Sequence, residues 1–189
     1  GKPVLDQLHF LDGAPTIKNK RVFTEMKNLG LVDGQGYGWR KIVKELESRS
    51  LPAPEIKIRK NSITVTIWFE KPLKLLSLDQ RNWTVYLHTV LRYLLNEPAN
   101  NASLRQRLNL PESKSSTVSK LFRQAAEGGL VKPFDKHSSN KTKKYLPAWS
   151  QASSRIPVKT KDYDKLKLEE EKTNNSQNSL SNKAFIGQE

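Results

Sequence analysis

The chain has 189 residues and a mass of 21.6 kDa, and its 33 Lys and Arg against 19 Asp and Glu give a formal net charge of +14. That length allows one large domain or two small ones with a tail, and the excess of cations favours a polyanionic partner. The absence of Cys excludes a disulfide framework, a thiol nucleophile and a Cys-containing zinc site, while no apolar run approaches the roughly 18 to 20 residues of a membrane span.

The first organised stretch runs from Ile17 to about Phe69. Val22, Phe23, Met26 and Leu29 recur at helical spacing and Gly30 follows, which predicts a helix over Ile17 to Leu29. A glycine turn comes next, Asp33-Gly34-Gln35-Gly36-Tyr37-Gly38, and then a second helix marked by Trp39, Ile42, Val43 and Leu46. Leu51-Pro52-Ala53-Pro54 ends it, because proline cannot continue a helix. Ile56 and Ile58, then Ile63, Val65, Ile67 and Phe69, alternate with mostly polar residues around Asn61-Ser62 and predict a hairpin.

From Leu73 the composition changes. Trp83, Leu87, Val90, Leu91 and Leu94 fall on one helical face, which stops before Glu97-Pro98. A short helix from Asn101 to about Leu108 leads through a turn to a third, capped by Ser115 or Ser116, whose Val118, Leu121, Phe122 and Ala125 share a face. Gly128-Gly129 ends it, and Leu130 to Phe134 with Lys143 to Leu146 predict two short strands around a polar loop. Helix, helix, turn, helix and ribbon is the order of a winged helix. Residues 151 to 189 are polar, with Thr173-Asn174-Asn175-Ser176-Gln177-Asn178-Ser179 at their centre, and are expected to be a flexible tail. The low hydrophobic content of the whole chain, 35%, fits a length that packs no core there.

A helix that reads DNA needs an apolar inner face and a polar, basic outer one. Lys114, Ser115, Thr117, Ser119, Lys120, Arg123 and Gln124 supply the outer face here, and Lys136, Lys141, Lys143 and Lys144 stand on or beside the wing, where cations meet phosphates. These residues are the candidate contacts to duplex DNA, the other reading being a solvated basic face on a winged helix used for protein contacts. The glycine turn before a helix N-terminus offers backbone N–H groups to an anion, with Gly36 and Gly38 as candidate cofactor-binding residues, or else is simply a tight helix-to-helix turn. His9, His88 and His137 carry no ligand spacing, so neither a metal site nor a catalytic residue is expected. Of the four tryptophans, Trp39, Trp68 and Trp83 read as core, and Trp149 is left free for stacking.

Asn19 with Val22-Phe23, Leu29-Gly30-Leu31-Val32-Asp33, Gly36-Tyr37-Gly38, Ile42, Leu51-Pro52-Ala53-Pro54-Glu55 and Ile63-Thr64-Val65-Thr66 resemble a bacterial family of transcriptional-regulator-like proteins. Its members carry a Schlafen/Alba-type domain, a GHKL-type ATPase-like domain and a C-terminal winged helix, and are often labelled RecG-like ATP-dependent helicases. The resemblance covers about residues 16 to 70 and, more loosely, 76 to 149. It implies that Gly36 and Gly38 are similar to the last glycine box that approaches ATP phosphates. The family's Arg-Asn-Pro reads Lys18-Asn19-Lys20 here, and its usual Glu before the glycines is Asp33.

The resemblance also implies that the Mg²⁺-holding Asn and general-base Glu precede residue 1, so this chain is expected to be a C-terminal piece that binds no cofactor and hydrolyses no ATP alone. ATP and Mg²⁺ belong to a longer protein.

The expected fold is therefore α+β, with a partial GHKL-like unit over 1–72, a winged helix-turn-helix domain over 73–150 and a tail over 151–189. The expected function is that of a cytoplasmic, DNA-binding transcriptional regulator. The alternatives are a fragment of an ATP-dependent DNA-processing enzyme, or a winged helix that binds protein. Expected partners are duplex DNA, the preceding part of the same protein and, as a further candidate, a second copy of the chain; no membrane is expected.

Overall fold

Asn19 starts the first helix, α1 (Lys20–Asn28), because its side chain accepts the Val22 N–H at 3.1 Å. The helix therefore begins three residues later than its apolar period predicts. Its other end closes on Gly30, whose φ of +69° lets Leu31 N–H reach the Met26 carbonyl at 2.9 Å. The computed structural model to which these elements belong describes residues 8–12, 17–60, 62–135 and 143–150. All of them lie in one of the chain's two units, residues 1–150. The expected tail, together with Lys136, His137 and Lys141 of the expected wing, lies outside the described residues.

Helix α2 (Gly38–Ser48) is followed by strands β1 (Glu55–Ile58) and β2 (Ile63–Thr66), which pair antiparallel with Ile56 opposite Val65 and Ile58 opposite Ile63. The paired isoleucines and valine occupy one face of the hairpin. Strand β2 stops at Thr66, short of the Phe69 expected from the alternation. A single 3-10 turn (Leu73–Leu75) leads to α3 (Leu78–Leu94). This helix begins five residues before Trp83: Ser77 Oγ accepts the Gln80 N–H and Gln80 Oε1 accepts the Ser77 N–H, both at 3.2 Å, a capping box that adds a polar first turn.

After α3 come β3 (Ala99–Asn100), α4 (Asn101–Arg107), a 3-10 turn (Glu112–Lys114), α5 (Ser115–Glu127), β4 (Val131–Pro133) and β5 (Lys144–Pro147). The last three strands form an antiparallel sheet in the order β3-β5-β4. Strand β3 was not foreseen, since two residues are too few for alternation to show. Ser115 and Ser116 do not cap α5; Lys114 holds the cap position without a side-chain bond, and Ser115 sits inside the first turn, its hydroxyl 3.1 Å from Asn101 Oδ1.

Helix α3 is the centre of the packing. Its residues from Thr84 to Leu91 are buried without a break, since α2 packs against it as well as α4, α5, β3 and β5. One core joins Val85, Leu87, Val90, Leu104, Val118, Leu121 and Phe122 with Val43 of α2 and Ile56 of β1, so the core crosses residue 72. Trp83 anchors the same seam by donating its indole N–H to the Pro54 carbonyl at 2.9 Å.

Candidate nucleic-acid interface and glycine turn

The helical period divides α5 cleanly. Val118, Leu121, Phe122 and Ala125 are no more than 4% exposed and face the core, leaving Thr117, Lys120 and Arg123 exposed on the other side, with Lys114 exposed just before the helix. Gln124 is half-buried. Ser115 and Ser119 turn instead toward α4, where Asn101 Nδ2 donates to the Ser115 carbonyl at 2.8 Å and pairs with Ser119 Oγ at 3.0 Å. Arg105 Nε closes the clasp by donating to Asn101 Oδ1 at 3.0 Å. On the ribbon, Lys144 is exposed and Lys143 half-buried.

Thus Lys114 and three of the named residues of α5 are open to solvent, and the two serines tie α5 to α4. Asn101 was missed because nothing in a lone Asn at a helix start says that its amide will span to the next helix.

A second cluster also escaped sequence reasoning. Buried His88 places Nδ1 at 3.1 Å from Glu47 Oε2 and Nε2 at 3.0 Å from Ser103 Oγ. That order of carboxylate, imidazole and hydroxyl is the one nucleophilic catalysis uses. Here Ser103 Oγ also accepts the Asn100 N–H and lies within donating distance of the Asn100 carbonyl, each at 3.0 Å, and the residue is only 8% exposed. Its oxygen belongs to the α4 cap. Arg107 completes the cluster, donating to the Leu51 carbonyl at 2.5 Å with Nε 3.5 Å from Glu47 Oε1. Burial pulls the Arg107 pKa below its usual range, and the Glu47 carboxylate opposes the shift. The cluster ties α2 to α3 and α4.

In the glycine turn, Gly34 and Gly36 have φ of +74° and +76°, and Asp33 Oδ1 accepts the Gln35 N–H at 3.0 Å. Gly38 opens α2. The Tyr37 cap makes no side-chain bond and no acid stands in the first turn, so the leading N–H groups of α2 meet no side-chain acceptor from the cap. Such a terminus fits a phosphate. A β-carbon on Gly38 would meet nothing within 4 Å, whereas one on Gly34 would sit 2.9 Å from Phe23 Cζ. Trp149, expected to be free for stacking, instead donates its indole N–H to Tyr86 Oη at 2.9 Å and packs 5.0 Å from the His9 ring. Among the described residues no three His, Cys, Asp or Glu side chains gather as a metal site, and no helix is long and apolar enough to cross a membrane.

Comparison with known proteins adds one match. Residues 2–67 match the family described as "Putative ATP-dependent DNA helicase recG C-terminal". No curated protein and no solved structure matches the chain. The match supports the resemblance to a RecG-like family with a GHKL-type ATPase domain, a family whose description names ATP and DNA. It ends before α3, so it does not speak to the helices that follow or to a Schlafen/Alba-type domain. The matched family is described by ATP-dependent work on DNA, not by regulation, so the match favours the ATP-dependent DNA-processing alternative over the expected transcriptional regulator.

Proposed function

We propose that this chain works within an ATP-dependent DNA-processing protein, joining the helix–hairpin part of a GHKL-type nucleotide domain (residues 1–72) to a winged helix (73–150) that holds duplex DNA. The match over residues 2–67 carries this reading. The order of α3, β3, α4, α5, β4 and β5 supports the winged helix, and the exposed Lys114, Thr117, Lys120, Arg123 and Lys144 support its contact with phosphates and bases. Gly36 and the start of α2 at Gly38 would receive phosphate oxygens of ATP, which supplies the free energy for the work on DNA; catalytic groups are sought in the rest of the domain. Two surfaces support the idea that residues 17–69 complete a larger domain: Val22 and Met26 of α1 and the following Leu29 are exposed, and Ile58, Ile63 and Val65 leave the hairpin face open.

A salt-dependent duplex titration, run beside ATP-binding calorimetry on the same sample, tests both halves. Lys144→Ala should weaken binding to all duplexes alike and reduce the salt slope by about one unit. Arg123→Ala should lose roughly 1 to 3 kcal/mol of discrimination between preferred and random duplexes. No duplex binding at low salt would replace the DNA reading with a protein-binding winged helix, and tight Mg²⁺-dependent ATP binding by this chain would overturn the placement of the remaining nucleotide groups outside it.

A further inference from the structure

Strand pairing sorts the side chains of the β3-β5-β4 sheet onto two faces. Tyr145 lies opposite Ala99 of β3 and Pro133 of β4, and this row faces the core, with Ala99 1% exposed and the Tyr145 ring stacked on Phe122. The next row lies on the other face, because successive residues of a strand alternate sides. It consists of Asn100, Lys144 and Phe134. Asn100 pairs with Lys144, and the Phe134 N–H donates to the Lys144 carbonyl at 2.9 Å, which continues the β4–β5 register and sets Phe134 directly opposite Lys144. Side chains so opposed have β-carbons about 4.5 to 5.5 Å apart.

Phe134 is 58% exposed, and its ring meets no other ring among the described residues. Its neighbours on that face make no apolar patch: Lys132 Nζ donates to the Ser150 carbonyl, Asn100 caps α4 and Leu146 is half-buried. A protein partner calls for a contiguous apolar surface, whereas here one ring stands alone beside a cation. Lys144 is exposed and has no ion-pair partner among the described residues, in a chain of net charge +14. A ring next to an unpaired cation suits a nucleotide, whose base stacks on the ring while its phosphate meets the charge. A base inside a duplex has both faces covered by its neighbours, so the matching base is an unpaired one. Trp149, the tryptophan expected to stack, is packed against His9 and Tyr93 and does not compete for this role.

We propose that Phe134 is a base-stacking residue, and that the outer face of the ribbon holds an unpaired base on its ring with the adjoining phosphate on Lys144. The assignment rests on the reading of residues 73–150 as a winged helix that holds DNA, and adds to it a strand whose bases are open beside the duplex.

The test titrates the full chain, at one low salt concentration, with a blunt duplex, with the same duplex carrying a short thymine overhang of either polarity, and with the same overhangs built from abasic units. A thymine overhang of at least one polarity should bind at least about fivefold more tightly than its abasic counterpart, the low end of what stacking one base on an aromatic ring supplies. Abasic units keep the phosphates, so Lys144→Ala should weaken both kinds of overhang alike and leave that ratio standing. Phe134→Ala should bring the ratio near one, and Phe134→Trp should preserve it. Because the ring is exposed, the thermal midpoints of both Phe134 variants should match the wild type. A ratio near one for the wild type at both polarities, or a ratio that survives Phe134→Ala, would overturn the assignment while duplex binding left the DNA reading in place, the ring then serving a protein contact. No binding of any probe would overturn both.

Discussion

Helices α1 and α5 carry the same kind of apolar stripe and meet opposite fates. On α5 the stripe is sealed under α3, α4 and the sheet, whereas on α1 no residue is buried and Val22, Met26 and Leu29 stand exposed. An amphipathic period thus records that a helix has a face to bury; it does not record that the partner lies nearby in the same chain. The hairpin repeats the lesson within one element, because Ile56 is 2% exposed while its neighbours on the same face are about 40% exposed.

The largest expected effect tests this contrast directly. Phe122→Ala should cost roughly 3 to 5 kcal/mol in urea unfolding, since a buried ring leaves a cavity. Met26→Ala on α1 should stay within about 0.5 kcal/mol, as for other exposed substitutions. If Met26→Ala is as costly as Phe122→Ala, α1 is covered in solution, and a dependence of its cost on protein concentration would identify a second copy as the cover.

Next in size is the seam between the two regions. Glu47→Gln leaves buried Arg107 and His88 without their carboxylate, so it should cost about 3 kcal/mol, the low end for a broken buried pair because Glu47 keeps some access to water. The loss should appear as one cooperative transition for the whole of residues 1–150. Two separate transitions, with the α3–α5 part unmoved, would show that the regions fold independently despite the shared core.

A smaller effect separates the glycines. Gly34→Ala forces a β-carbon into the left-handed region and against the end of the Phe23 side chain, which can shift; the backbone strain should remain, at about 1 kcal/mol. Gly38→Ala, in helical backbone with open space, should be neutral or stabilising by a few tenths of a kcal/mol. A cost at Gly38 as large as at Gly34 would mean that its open side is occupied in solution.

The helices were legible from the sequence because their stripes are long, and the inner face of α5 was read residue for residue. Their ends were legible where glycine or proline marks them: α1 and α5 turn on Gly30 and Gly129, and Pro52 and Pro98 follow the ends of α2 and α3, whereas the left-handed closures at Ser50, Asn96 and Asn109 carry no such mark. The burial of both sides of α3 was not legible, because Thr84, His88 and Thr89 look polar until α2 and Ser103 supply their surroundings. Of the candidate site, the exposed cations followed from helical geometry, while the diversion of Ser115 and Ser119 depends on Asn101, a contact that no local pattern encodes. A cavity that Leu8, Ala53, Trp68, Asp79 and Gly128 help to line draws on five separate segments and leaves no spacing signal at all.

The smallest effect concerns pH and again sets a packed element against its surroundings. Tyr145 of β5 stacks on Phe122 with ring centres 4.1 Å apart, and burial raises its phenol pKa. Below about pH 10 the phenol is neutral in folded and unfolded chains alike. As pH rises past that point the unfolded chain ionises first, so the stability present at neutral pH is lost as pH climbs through the folded value. Arg107 acts in the opposite sense, since its folded pKa is lowered and its contribution grows as pH rises toward its own range. Comparing wild type with Tyr145→Phe cancels Arg107 and every other group the two share. The variant should lose less stability between about pH 8 and pH 11, by under about 0.5 kcal/mol because the ring keeps partial contact with water. An equal loss in both chains would mean that Tyr145 ionises as freely folded as unfolded, and that the ribbon lifts away from α5 in alkali before the core opens.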